Sequence, residues 1–89
     1  MVSITFKLFS HLADYLPEHY QGNQRVDNTL VIEVSDDTSI TDVIEQFKLP
    51  PKLVHLVLVN GTYIEPEDRI SRTFNEGEEL AIWPRVFGG

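Results

Sequence analysis

The amino-acid sequence predicts an α+β fold, a mixed sheet of four to five strands packed on one main helix. Three observations carry that expectation: segments in which apolar and polar residues alternate with period two, one segment with apolar residues at helical spacing behind a capping box, and an Asn-Gly pair between two short runs. With 89 residues, 42% of them apolar, the chain has the size of one domain. Folding is expected to bury roughly 60–65% of the unfolded surface, which leaves function a small site or a chain end.

In the first segment Val2, Ile4, Phe6 and Leu8 face one way and Ser3, Thr5, Lys7 and Phe9 the other, as in a half-buried strand. A short helical turn follows from Ser10 to Leu16, with Ser10 as N-cap and Pro17 ending it. Glu18 to Asn28 reads as a loop. Thr29 to Ser35 is a second strand, with Leu30, Ile32 and Val34 on one face. After the turn at Asp36-Asp37-Thr38, Ser39 and Asp42 form a capping box, and Ile40, Val43, Ile44 and Phe47 define an amphipathic helix over Ile40 to Lys48, stopped by Pro50-Pro51. His55 to Asn60 is nearly continuously apolar, the pattern of a central strand covered on both faces. Asn60-Gly61 turns the chain back into Thr62-Tyr63-Ile64, and Glu65-Pro66-Glu67-Asp68 turns again. The turn Asn75-Glu76-Gly77-Glu78 leads into the last strand, Glu79 to Pro84, with Leu80 and Ile82 inward and Ala81 and Trp83 outward.

The first two strands suit an antiparallel pair, and the last strand must enter an open edge or gap. This is the order of the β-grasp of ubiquitin-like proteins, and other small α+β folds share it. Residues 1–84 are expected to form the domain and residues 85–89 a flexible C-terminal tail ending in Gly-Gly.

Composition removes several function classes. The chain has no cysteine, and therefore no disulfide framework, thiol nucleophile or cysteine-ligated metal. No segment approaches the apolar length of a bilayer span, and the N-terminus lacks a signal-peptide run, so a soluble, cytoplasmic protein without a membrane partner is expected. A net charge of −7, from 14 acidic and 7 basic residues, opposes nucleic acid as a partner. An acidic surface suits a basic protein partner or simply limits self-association.

His11, His19 and His55 lack zinc-site spacing, and no metal is expected. Glu65, Glu67, Asp68, Glu76, Glu78 and Glu79 lack the ligand order of a calcium loop and read as solvated turn residues. The alternation throws Phe9, Tyr63 and Trp83 outward, either as an interface patch or as caps on the core at a sheet edge. The final pair, Gly88 and Gly89, has no Cβ and can thread a narrow channel, which suits delivery of a carboxylate into another protein's active site. Terminal glycines also occur as fraying residues or expression scars.

The run Gly77-Glu78-Glu79-Leu80-Ala81-Ile82-Trp83-Pro84, followed by Val86 and Gly88-Gly89, together with Val59-Asn60-Gly61, resembles the MoaD/ThiS family of ubiquitin-like sulfur carriers, most of all the small subunit of molybdopterin synthase. The resemblance covers nearly the whole chain. It implies a β-grasp protein that is non-catalytic alone and binds no cofactor of its own. A ubiquitin-activating-like adenylyltransferase would use ATP to adenylate Gly89, and sulfur would displace AMP to leave a C-terminal thiocarboxylate. Gly88 would give the tail its freedom. A sulfur-accepting synthase subunit, in the molybdopterin branch the large subunit, would bind Phe9, Tyr63, Trp83, Pro84, Arg85, Val86 and Phe87. Arg85 stands where that branch commonly has a second proline, and Phe87 where a small residue is usual. Related carriers serve thiamine, cysteine or other sulfur metabolites, or conjugate to proteins as ubiquitin-like modifiers.

Overall fold

The computed structural model describes residues 1–85. Along them run β1 (Val2–Leu8), β2 (His19–Tyr20), β3 (Asn23–Gln24), β4 (Thr29–Val34), α1 (Ile40–Gln46), β5 (Leu56–Val59), β6 (Thr62–Tyr63) and β7 (Glu79–Trp83). The main sheet has five strands in the order β4-β1-β7-β5-β6. As expected, β1 and β4 pair antiparallel. The last strand fills the gap between β1, to which it is parallel, and β5, to which it is antiparallel.

Period-two alternation decides which side chains enter the core. Ile4, Phe6 and Leu8 of β1, Leu30, Ile32 and Val34 of β4, Val57 and Val59 of β5, and Leu80 and Ile82 of β7 are all buried. They share one cluster with Ile40, Val43 and Phe47 of the helical segment. Each fully buried aliphatic or aromatic side chain contributes about 1.5–3 kcal/mol relative to exposure. The Phe47 ring lies 5.1 Å from both Phe6 and Tyr20.

The capping box forms as read: Asp42 N–H donates to Ser39 Oγ at 3.1 Å, and Ser39 N–H to Asp42 Oδ2 at 3.0 Å. The helix stops ahead of the proline pair. Lys48 takes a left-handed conformation at φ 59, its N–H reaches Glu45 O, and Leu49 N–H reaches Ile44 O. These two bonds satisfy the last carbonyls as a Schellman motif, so Pro50 and Pro51 follow a helix already closed.

Ser10 is not an N-cap: it sits at φ 57, and Phe9 caps a three-ten turn over Ser10–Tyr15. Phe9 N–H still donates to Ile82 O at 3.1 Å while Phe9 takes the cap position, so the turn starts one residue earlier than the cap preference of serine implies. The stretch Glu18 to Asn28 is more than a loop, because β2 and β3 form a hairpin through Gln21 (φ 54) and Gly22 (φ 80), both left-handed as a type I′ turn requires. The Gln21 amide then accepts from Glu33 N–H and donates to Glu33 O, and Asn23 Nδ2 donates to Val31 O, all on β4. Strand β5 lies inside the sheet but is covered on one face only, since Leu56 stays 40% exposed opposite the core. Finally, Glu78 is not a solvated turn residue but is buried beside Arg72. Among the described residues no helix is long and apolar enough to cross a membrane.

Candidate functional site

The sheet face turned away from α1 carries the candidate site. Residues out of phase with the core on β1, β7, β5 and β6 share this face, and the register fixes their neighbours. Lys7 pairs with Ala81, Leu58 with both Ala81 and Tyr63, and Leu56 with Trp83. Phe9 continues β1 beside Trp83, and their rings stack with centroids 4.1 Å apart and planes 5° apart. Such a pair adds about 0.5–1.5 kcal/mol beyond the area it covers.

Tyr63 does not touch this stack in the way the outward trio suggests. It lies across β5 on the neighbouring strand, 42% exposed, with the Arg69 guanidinium carbon 5.9 Å from its ring centre. Leu56 and Leu58 fill the space between, so Phe9, Trp83, Leu56, Leu58 and Tyr63 form one apolar strip across three strands and the end of β1. The leucines were missed because an unbroken apolar run hides its own alternation. Once Val57 and Val59 are placed inward, their neighbours must face outward. Ala81 also points outward as expected, yet is only 4% exposed beneath its larger neighbours.

A single ion pair borders the strip within the described residues, Lys7 Nζ to Glu79 Oε2 at 3.1 Å. The hairpin is tied to the central strand by Asn60, whose N–H donates to Glu79 O and whose Oδ1 accepts from Glu79 N–H at 2.8 Å. That explains Asn60 beyond its tolerance of φ 51. At the other end of β7, His55 N–H holds Trp83 O at 3.0 Å, after which Pro84 is buried and Arg85 exposed. Val86, Phe87, Gly88 and Gly89 lie outside the described residues.

The start of β7 is fixed by Glu78. Its carboxylate accepts from Asn75 N–H at 2.8 Å and from Arg72 at 3.0 and 3.4 Å. Burial works to raise its pKa, but the bonds from Arg72 and Asn75, with the Arg72 charge, outweigh burial and hold the carboxyl below the ordinary glutamate value. Among the described residues no three His, Asp or Glu side chains cluster to hold a metal ion. What the face offers is apolar docking area beside the strand that leads to the chain end.

The family described as Mut7-C ubiquitin matches residues 1–87. Among solved structures, the fold is similar to that of SAMP1 from Haloferax volcanii, with 24% identity, a TM-score of 0.63, and 98% of this chain and 99% of that chain covered. It is similar to the HVO 2177 protein of the same organism, at 19% identity and a TM-score of 0.71 over 99% of this chain and 87% of that chain. It is similar too to a putative molybdopterin converting factor subunit 1 from Pyrococcus furiosus, at 17% identity and a TM-score of 0.64 over 97% of this chain and 100% of that chain. At these identities the structural likeness carries the β-grasp fold. No curated protein matches.

Proposed function

Because the chain belongs to the Mut7-C ubiquitin family, we propose that it works as a ubiquitin-like sulfur carrier whose Gly89 is adenylated, converted to a thiocarboxylate and used in molybdopterin synthesis. The observation that supports this reading is the Phe9–Trp83 stack: the strand that carries the apolar docking strip is the strand that leads into Gly88-Gly89. Position and chemistry are then divided between two parts of one chain.

A carboxylate is a poor electrophile. In the proposed sequence a carboxylate oxygen attacks the α-phosphorus of ATP on a ubiquitin-activating-like adenylyltransferase, and pyrophosphate leaves. A hydrosulfide ion from the sulfur donor then attacks the acyl carbon, loses its proton and expels AMP. The resulting thiocarboxylate is a sulfur nucleophile that needs no cysteine. The strip Phe9, Leu56, Leu58, Tyr63 and Trp83 docks on the partner, with Pro84, Arg85, Val86 and Phe87 continuing the contact toward its active site. The sulfur acceptor in this reading is a synthase subunit of the large molybdopterin-synthase type.

A second reading is protein modification, in which a target lysine amine attacks the same activated carbonyl and forms an amide. Similarity to a structure described as a small archaeal modifier protein favours it. Both require a mature polypeptide that ends at Gly89. Intact-mass analysis after incubation with the activating enzyme, ATP and a sulfur donor separates them. Replacement of one oxygen by sulfur supports the carrier, and target lysines that carry Val-Phe-Gly-Gly after tryptic cleavage at Arg85 support the modifier. An unchanged mass with a partner shown to be active removes the carrier reading.

A further inference from the structure

On the helix side of the sheet, Arg69 forms part of a groove of about 220 Å³ whose walls include Ile44 and Glu45 of α1, Pro51, Val54 and Pro66. We propose that this groove docks a segment of a partner protein that presents one aliphatic side chain next to one carboxylate.

Arg69 is the one cationic side chain among the residues that line this groove. It is only 8% exposed, yet its guanidinium makes its bonds to neutral carbonyls, Nε to Ile64 O at 3.2 Å and one terminal nitrogen to His55 O at 3.4 Å. None of the ion pairs among the described residues includes it. A guanidinium has five N–H donors in a fixed fork, so capacity remains after these bonds; its charge is met by neutral carbonyls and by the Tyr63 ring 5.9 Å away, and an arriving carboxylate would add the counter-charge that these do not supply. In a chain of net charge −7 this is notable, because acidic partners are otherwise in surplus.

The walls define the rest of the occupant. Ile44 and Val54 pack against the core while remaining partly exposed, and with the two prolines they offer a rigid apolar lining. The volume lies below the roughly 300–1,000 Å³ typical of small-molecule sites and suits a single aliphatic side chain. Glu45 is exposed on the α1 wall and repels a second negative charge, so one carboxylate fits better than an acidic run. The groove adjoins the strip at Tyr63, whose ring lies 5.9 Å from the Arg69 guanidinium carbon, and it does not depend on the chemistry of Gly89.

The test is an amide NMR titration of the full chain with acetyl-Leu-Glu-amide, against acetyl-Leu-Gln-amide as the uncharged counterpart. Saturable shifts are expected at Ile44, Val54 and Arg69, with the glutamine peptide about ten-fold weaker for loss of a charge-assisted bond. Arg69→Lys should weaken the acidic peptide selectively. Because that change can also disturb the bonds to His55 and Ile64, Glu45→Gln serves as the second variant. Placed on an exposed residue, it should leave the fold intact and raise affinity for acetyl-Glu-Leu-Glu-amide. Equal binding of the two dipeptides, shifts confined to other surfaces, or no saturation at millimolar peptide would each overturn the proposal and leave Arg69 as a bridge between loops.

Discussion

Replacing Glu78 by glutamine should destabilise the protein through one identifiable set of contacts. Glu78 is 9% exposed, and its carboxylate takes three hydrogen bonds, from Asn75 N–H and from both terminal nitrogens of Arg72. Glutamine keeps an oxygen for Asn75 N–H but loses the paired, charged contact with Arg72. Hydrogen bonds to charged groups are each worth about 1.5–3 kcal/mol. Arg72 is 32% exposed and can recover water, which discounts the loss. The expected cost is therefore about 1–2 kcal/mol for Glu78→Gln, and about 2–3 kcal/mol for Glu78→Ala, which also strands the Asn75 N–H. Urea denaturation followed by the fluorescence of Trp83, the single tryptophan, reads both values. The folded-state pKa of Glu78 is lowered, so its contribution is fully present above the ordinary glutamate value of about 4.3 and is lost as pH falls from there through the folded value. The gap between wild type and Glu78→Gln should therefore be constant near neutrality and shrink in acid. A gap below about 0.5 kcal/mol at pH 7, or one of the same size at pH 3 with both proteins folded, refutes the reasoning.

Further changes separate the remaining claims. Lys48→Gly relieves a left-handed side chain at the end of α1 and should stabilise the protein by about 1 kcal/mol, seen as a higher urea midpoint at unchanged slope. Phe9→Ala should cost about 1–2 kcal/mol and shift Trp83 emission to longer wavelength as the indole loses its cover, whereas the more exposed Tyr63→Ala should cost under about 0.5 kcal/mol. Gln21→Ala frees Glu33 N–H and C=O on the outer edge of β4 and should produce concentration-dependent self-association on size-exclusion chromatography; a strictly monomeric variant would argue against an edge-closing role.

What the sequence disclosed was local. The alternation of β1 and β4, the box at Ser39 and Asp42, and the left-handed pair Asn60-Gly61 each follow from neighbours a few residues apart, and each is present. The hairpin at His19–Gln24 escaped notice because two-residue strands are too short to show a period. Ser10 misled because Phe9, extended and bonded to Ile82 O, already takes the cap position, which leaves Ser10 inside the turn at φ 57. The coverage of β5 could not be read, since an apolar strand says nothing about whether a second layer exists. The burial of Glu78 and Arg69 depends on turns and loops that meet only in the folded chain. For the candidate site, Phe9 and Trp83 were legible as outward aromatics, while their separation from Tyr63 by Leu56 and Leu58 required the strand order.

The position of β7 has a mechanical meaning. The last of the described strands in chain order occupies the middle of the sheet, bonded to β1 on one side and β5 on the other. A ribosome releasing this chain from its N-terminus cannot complete the core until Trp83 has emerged, so closure of the domain and arrival of the residues after it are nearly simultaneous events. Once formed, a pull on the C-terminal end loads two rows of hydrogen bonds in shear at the same time, where an edge strand would peel one bond after another. A partner that grips the residues beyond Trp83 draws on the strongest anchorage the sheet can give.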